Sequence, residues 1–333
     1  MKQEQRNEWR AIRVLLAEVG FVALCIVLLI SLVFFGTKGN DSYDEEMVNK
    51  EVLLRSAPSP RIIFVGGSGL AFGLDSSLVA SSTGLHPVNL GMYGSFGLDN
   101  LLQQVESGMK KGDTVVIIPE YRLIEGNTAD RGMQLLGLLQ ADIGFIRYVG
   151  EKRDISAILR SLPSWCSNQI SYEIQQMNDH LFGAQINNPY QALHRKVYRA
   201  SSFDQYGDML GHLRQASQTQ NMWQESKLSG NIPEDVRTNL AEFLVRANQQ
   251  GVTVFFSWPA FSKTSFEQNR QAIEQLSTQI TQILGKKNVL GAPGDFNWND
   301  DAYFDSVYHL SGPAREERTK KLIALLRRAQ NPK

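Results

Sequence analysis

Three residues carry most of the chemical potential of this chain: Ser68, Asp305 and His309. Ser68 sits in the stretch RIIFVGGSGLAFGLDSS, Arg61 to Ser77, just past a run of bulky residues and two glycines. A serine hydroxyl is a weak nucleophile until a base lies within hydrogen-bond reach and an acceptor orients that base. Of the five histidines, His86 precedes Pro87 at a strand start, while His180, His194 and His212 lie in a segment without a nearby acidic loop and read as surface or packing residues. His309 differs. It follows Asp305 by four positions in a polar loop and precedes a helix start at Ser311-Gly312-Pro313. The chain order Ser, Asp, His is one of the known orders of a nucleophilic triad, and its chemistry would be acyl transfer through an acyl-serine. The plainer alternative makes Ser311 a helix N-cap and leaves Asp305 and His309 decorating a surface turn.

To act together these residues must be held by strands and helices. Arg61 to Val65 is apolar and β-branched, bounded by Pro60 and Gly66-Gly67, as a buried central strand should be. Ser68 then lies beyond the carboxyl end of that strand, where open α/β sheets place ligands. His86 to Leu90, Thr114 to Ile118, Val252 to Phe256 and Asn288 to Leu290 read as further strands. Helices are expected at Asp99 to Lys111, Glu234 to Gln250, Phe266 to Leu284 and Pro313 to Arg328, the second closed by Gly251 at a C′ position. Strands alternating with helices predict an α/β, doubly wound parallel sheet. Tyr121 to Pro233 interrupts that order as one long, mainly helical insertion without a clear strand.

The glycines around Ser68 admit other readings. A phosphate-cradling loop would need G-x-G-x-x-G and an acid ending the next strand, and neither is present. A G-x-S-x-G elbow fails because Leu70 stands at its last position. A glycine-rich connection with no chemistry also fits the stretch.

The N-terminus carries Lys2, Arg6, Arg10 and Arg13, then an uncharged apolar run from Val19 to Phe35. Val14 to Ala17 extend the run if Glu18 snorkels, giving enough helix for a ~30 Å hydrocarbon core. Bases before the span and the acids Asp41, Asp44, Glu45 and Glu46 after it put the N-terminus in the cytoplasm. Phe34-Phe35-Gly36-Thr37-Lys38 offers no small-residue cleavage site, so an uncleaved anchor is favoured over a signal peptide. The expected organisation is a cytoplasmic tail (1–13), a transmembrane anchor (14–36), a linker or short helix rising from the membrane (37–60), and one domain (61–330) containing the insertion (121–233). The 333 residues balance 34 Lys and Arg against 34 Asp and Glu, so no basic excess points to nucleic acid. Of the two cysteines, Cys25 lies in the span and Cys166 outside it, which excludes an internal disulfide and Cys-built metal sites in the outer domain. No metal or cofactor is expected.

Phe64-Val65-Gly66-Gly67-Ser68 with Phe72-Gly73, Asn89-Leu90-Gly91 followed by Gly94, and Asp305 with Tyr308-His309-Leu310 together resemble the SGNH (GDSL-type) hydrolases. The resemblance is to their membrane-anchored, extracytoplasmic branch, which accompanies membrane-bound O-acyltransferases and includes relatives of the D-alanyl transfer protein. It spans about Arg61 to Leu325 apart from the insertion. It implies a three-layer, flavodoxin-like sheet, Ser68 as nucleophile, His309 as general base, Asp305 as its orienting acid, and the N–H groups of Ser68 and Gly91 as oxyanion donors. It further implies a single-pass protein of the bacterial inner membrane with a periplasmic domain, transferring or removing an acyl group, acetyl above all, on a cell-surface polysaccharide beside a membrane-bound O-acyltransferase. Trp298, Tyr303 and Phe304 would stack on sugar rings or fill the core. The chain departs from the family pattern at three points: Gly67 stands where an Asp precedes the serine, Pro119-Glu120-Tyr121 stands where an Asn donates to the oxyanion, and three residues instead of two separate Asp305 from His309. The missing Asn and the long insertion leave room for a second expectation, a catalytically weak or inactive SGNH-like subunit that docks on the membrane acyltransferase or holds the polysaccharide.

Overall fold

The computed structural model describes residues 2–37, 41–150, 152–182, 189–218 and 222–330. It begins with α1, Lys2–Gly36, whose stretch Glu8–Gly36 is long and apolar enough to cross a membrane and is almost entirely unburied. Residues expected as a tail continue this helix without a break. Its end is seated on the rest of the molecule: Phe34 lies against Trp165, and Gln140 Nε2 donates to Phe34 O at 2.9 Å and to Thr37 Oγ1 at 3.0 Å.

The segment expected as a linker or short helix forms the helix α2, Glu45–Ser56, which is packed as a layer of the domain and is not a spacer. Met47, Lys50 and Leu54 are fully buried. A buried ammonium needs partners, and Lys50 Nζ finds the carbonyls of Asn89, at 2.8 Å, and Gly207. Arg61, also fully buried, pairs with Asp113 at 3.1 Å and reaches the Leu54 carbonyl, clamping the helix end to the sheet.

That sheet is built from β1 (Arg61–Gly66), β2 (His86–Asn89), β3 (Thr114–Ile118), β4 (Thr253–Ser257) and, after the two-residue β5 (Phe261–Ser262), β6 (Val289–Leu290). β5 pairs with β7 (Asn297–Trp298) in a small separate sheet. The five strands run parallel in the order β2-β1-β3-β4-β6. This is a doubly wound order whose switch point lies between β1 and β3. Because successive side chains point to opposite faces, Ile63, Val65, Val115, Ile117, Val254 and Phe256 join one core. Ile62, Phe64, Val116, Ile118 and Phe255 join the other. Two-sided burial is why these strands read as continuous apolar runs.

α3 (Ser68–Gly73) and α4 (Ser76–Thr83) follow β1, α5 (Leu98–Glu106) follows β2, and α6 (Tyr121–Ile124), α7 (Arg131–Ala141), α8 (Lys152–Phe182) and α9 (Pro189–Val197) lie in the insertion. α10 (Glu234–Gln249), α11 (Lys263–Gln268), α12 (Arg270–Leu284) and α13 (Gly312–Gln330) complete the chain. α5, α10 and α12 bury Leu101, Leu240, Phe243, Ile273 and Leu276 on the first face. α4 and α13 bury Val79, Leu322 and Leu326 on the second.

The expected helix from Phe266 to Leu284 is two. Asn269 spends its side chain on Ser265 O at 2.9 Å and on the Leu228 N–H at 2.9 Å, and such local bonds compete with helix continuation. α5 stops at Glu106, short of Lys111, and Gly108 just beyond it lies so close to Leu54 that a Cβ there would be 2.6 Å from Leu54 Cγ. The insertion carries no extended strand among the described residues. It is not an appendage, because Leu135 and Leu138 of α7 belong to the main core.

Candidate active site

β1 and β3 end in register, with Gly66 opposite Ile118, so the chains leaving them bring Ser68 and Glu120 side by side at the switch point. Gly66 needs its missing side chain because a Cβ would overlap the Ile118 carbonyl. Ser68 opens α3, and a first helical residue has no intrahelical acceptor for its N–H. No other acceptor for it exists among the described residues.

The polar loop before α13 closes on itself. Tyr303 and Leu310 form an isolated bridge, the Phe304 N–H donates to His309 O at 2.8 Å, and the His309 N–H donates to Ser306 O at 3.1 Å. This turn absorbs the extra residue between Asp305 and His309 and points both side chains the same way. His309 Nδ1 lies 2.7 Å from Asp305 Oδ1, and His309 Nε2 lies 2.8 Å from Ser68 Oγ. Asp305 and His309 are buried and Ser68 half-buried. The structure therefore brings the three residues into one hydrogen-bonded chain.

Two neighbours hold that chain. Phe72, one turn beyond Ser68 on α3, stacks on the His309 imidazole with centroids 3.9 Å apart and planes 8° from parallel. On the Phe72 ring also packs His212, at 4.7 Å. Burial pushes His212 down to about 3, so this ring is neutral and its Nε2–H donates to Leu310 O at 2.9 Å. Tyr198, just past α9, donates its hydroxyl to Asp305 Oδ2 at 2.8 Å. Burial raises the Asp305 pKa, but the bonds from His309 and Tyr198 outweigh it and hold the carboxyl below its usual range. Tyr198→Phe removes one of those bonds. A hydrogen bond to a charged group contributes roughly 1.5–3 kcal/mol to stability, so the melting temperature is expected to fall by several degrees and, where Asp305 orients His309 for ester turnover, kcat/KM for an activated acetyl ester to fall about tenfold. An unchanged rate would show that Asp305 needs no second donor.

Glu120 resolves two of the departures from the family pattern together. Its Oε1 accepts the Gly69 N–H at 2.7 Å and lies 3.4 Å from Ser68 Oγ. The space it fills is the space a side chain at position 67 would need, since a Cβ on Gly67 would overlap the Glu120 carboxyl. A Cβ on Gly94 would come within 2.8 Å of Glu120 Oε2. The carboxyl thus enters the nucleophile turn from β3 because Gly67 and Gly94 leave room for it. Burial raises its pKa, with the Gly69 N–H, His309 and Arg122 only partly opposing.

Gly91, expected as an oxyanion donor, is not placed for that role. Its N–H is taken by Asn89 Oδ1 at 2.8 Å, it does not line the cavity beside Ser68, and Ala71 N and Leu70 Cβ occupy the space a Cβ there would need. Its missing side chain serves packing against α3. Gly94 is the glycine of this block that faces the cavity.

That cavity measures about 400 Å³ and is lined by Ser68, His309, Asp305 and Glu120 together with Tyr43, Tyr93, Tyr198, Trp223 and Tyr308. Its aromatic walls are not Trp298, Tyr303 or Phe304, and of the two roles expected for these, core packing is the one Tyr303 and Phe304 fill. Tyr303 and Phe304 are buried in the core, and Trp298 is turned to Glu317, at 3.0 Å, and Lys321. His194 stacks on Tyr198 at 4.0 Å and lines the cavity. Glu120 was visible in the sequence as a carboxyl at a strand end. Tyr198 and Trp223 carried no signal, lying far along the insertion, and Tyr43 was hidden in the segment read as a linker.

No family model and no curated protein matches the chain. The geometry of the site is therefore the ground on which its function is read.

Proposed function

We propose that the chain is a membrane-anchored serine acyl-transfer enzyme, an O-acetyltransferase or esterase, acting outside the cytoplasmic membrane on a cell-surface polysaccharide. The supporting observation is the continuous chain from Ser68 Oγ through His309 to Asp305, with spacings of 2.8 and 2.7 Å. His309 Nε2 removes the Ser68 proton as Oγ adds to the acyl carbonyl, and Asp305 holds the Nδ1–H and the imidazolium that forms. Collapse of the tetrahedral adduct expels the donor alcohol, which takes the proton from His309 and leaves the acyl group on Ser68. In the second half His309 deprotonates the acceptor hydroxyl, which attacks the acyl-serine and releases Ser68. Water as acceptor gives an esterase, a sugar hydroxyl a transferase. The Ser68 N–H, unspent in the fold, is a donor for the oxyanion, a contribution of about 3 kcal/mol. The resemblance to the SGNH branch supports a glycan substrate and a membrane-bound O-acyltransferase as partner, and α1 supports single-pass anchoring.

A fluorophosphonate probe tests this reading on the full-length protein in detergent micelles. Wild type is expected to be labelled at Ser68 and Ser68→Ala to remain unlabelled. An unlabelled wild type sinks the enzyme and leaves the docking or polysaccharide-holding subunit, a reading that Glu120 in place of an amide donor favours.

A further inference from the structure

Folded proteins leave very few buried polar atoms without a hydrogen bond. Among the described residues, four such atoms belong to side chains around the Ser68 cavity: Tyr43 Oη, Glu120 Oε2, Arg122 Nε and Gln134 Oε1. Their concentration at one cavity marks a place where a ligand completes the bonding. The charged donor of the group is Arg122, on the single turn α6 that follows Glu120.

The Arg122 guanidinium lies over the Trp223 ring, 5.4 Å from its centroid. It forms no ion pair with a described residue. The acids on which its charge acts, Glu120 and Glu225, are not in ion-pair contact with it, and their oxygens are engaged elsewhere: Glu120 Oε1 accepts the Gly69 N–H at 2.7 Å and Glu225 Oε2 the Tyr308 hydroxyl at 2.9 Å. A half-buried guanidinium presents a planar fork of donors that matches a carboxylate or phosphate with two parallel bonds. Left without an anion it forfeits those bonds.

Building on the acyl-transfer reading of the cavity, we infer that Arg122 holds an acidic group of the glycan, a sugar carboxylate or a phosphate, beside the hydroxyl or ester that faces Ser68. Trp223 supports the guanidinium from below, and Gln134 and Tyr43 take hydroxyls of the same sugar. A neutral glycan fills the cavity but leaves the Arg122 fork unpaired, so charge sets the specificity.

Binding separates this inference from catalysis. Calorimetric titration of the full-length wild type in micelles would compare trigalacturonate, its fully methyl-esterified form and a glycerol-phosphate trimer. At least one anionic oligomer is expected to bind roughly tenfold to a hundredfold more tightly than the methyl ester, and whichever does so distinguishes carboxylate from phosphate. The advantage should shrink between about 0.05 M and about 0.3 M salt, where screening lengths shorten. Arg122→Gln should abolish it, and Arg122→Lys should retain part of it. A methyl ester bound as tightly as both anions, an Arg122→Gln protein with wild-type preference, or no binding by any of the three oligomers overturns the inference. Should Arg122→Gln not fold, the wild-type comparison of acid with ester decides alone. A charge preference in a protein that the fluorophosphonate leaves unlabelled would retain the acidic-glycan site and reject acyl transfer.

Discussion

His309→Ala is expected to lower kcat for acetyl-ester turnover by about 10³- to 10⁶-fold, and Asp305→Asn by about 10³- to 10⁴-fold, the range found when members of such a triad are removed. The asymmetry follows from position: in the proposed mechanism His309 moves the proton, whereas Asp305, 2.7 Å from Nδ1, fixes the tautomer. Adding His309→Ala to Ser68→Ala should cost little more than either alone, because residues that act as a unit fail as one. Burst kinetics with a chromogenic acetyl ester would read these losses. A His309→Ala enzyme within tenfold of wild type would remove the imidazole from the mechanism. Asp305→Asn also carries a stability signature. The native carboxyl titrates below its unfolded value, so its contribution is present above the usual carboxylate range and is lost as pH falls through the native pKa. The variant should lose that part of the acid dependence of unfolding.

Gly67→Asp should abolish activity and destabilise the fold, although it installs the Asp that precedes the serine in the SGNH pattern the chain resembles. The new Cβ would overlap the Glu120 carboxyl, and overpacking of this kind typically costs 1–3 kcal/mol before any charge repulsion is counted. Two carboxyls in one buried site cannot both ionise cheaply. Glu120→Asn shortens and neutralises the intruding side chain, so the double variant Gly67→Asp/Glu120→Asn is expected to regain much of the lost stability and some activity. Non-additivity of more than about 1 kcal/mol in a double-mutant cycle, read by denaturant unfolding, would establish the coupling. Simple additivity would mean that the two positions are independent. Glu120→Gln adds a pH test. Since the native pKa is raised, the unfolded chain releases this proton first as pH climbs, and stability falls until the native carboxyl ionises too. The amide should flatten that decline.

How much of this was legible in the sequence depended on whether neighbours in space were also marked by type or spacing. β1, β3 and β4 were readable because burial on both faces leaves uninterrupted apolar runs such as Thr114–Ile118. The proximity of Asp305 and His309 was readable from four-residue spacing in a polar loop, and Ser68 from its place after a strand. What failed was composition used as a proxy for exposure. Residues 37–60 look charged and loose, yet Lys50 is fully buried because carbonyls of two distant segments receive its protons. The Gly91 assignment failed for a related reason: a glycine can be required for close packing as well as for donating a hydrogen bond. Tyr198 could not have been found, because its link to Asp305 depends on how the insertion folds back over the site.

The seating of α1 on α7 and α8 has a mechanical consequence. Tyr43 lines the cavity only a few residues after the helix ends at Gly36, and a chain of that length spans at most about 25 Å. With α1 in a bilayer, the domain that holds Ser68 is no tethered ball on a flexible leash. It is a fixture at one height, closer to a tool on a short rigid mount. On the acyl-transfer reading proposed above, it would meet its polymer as strands pass the membrane surface, so the pattern of acyl groups along a strand would record the polymer's movement past it.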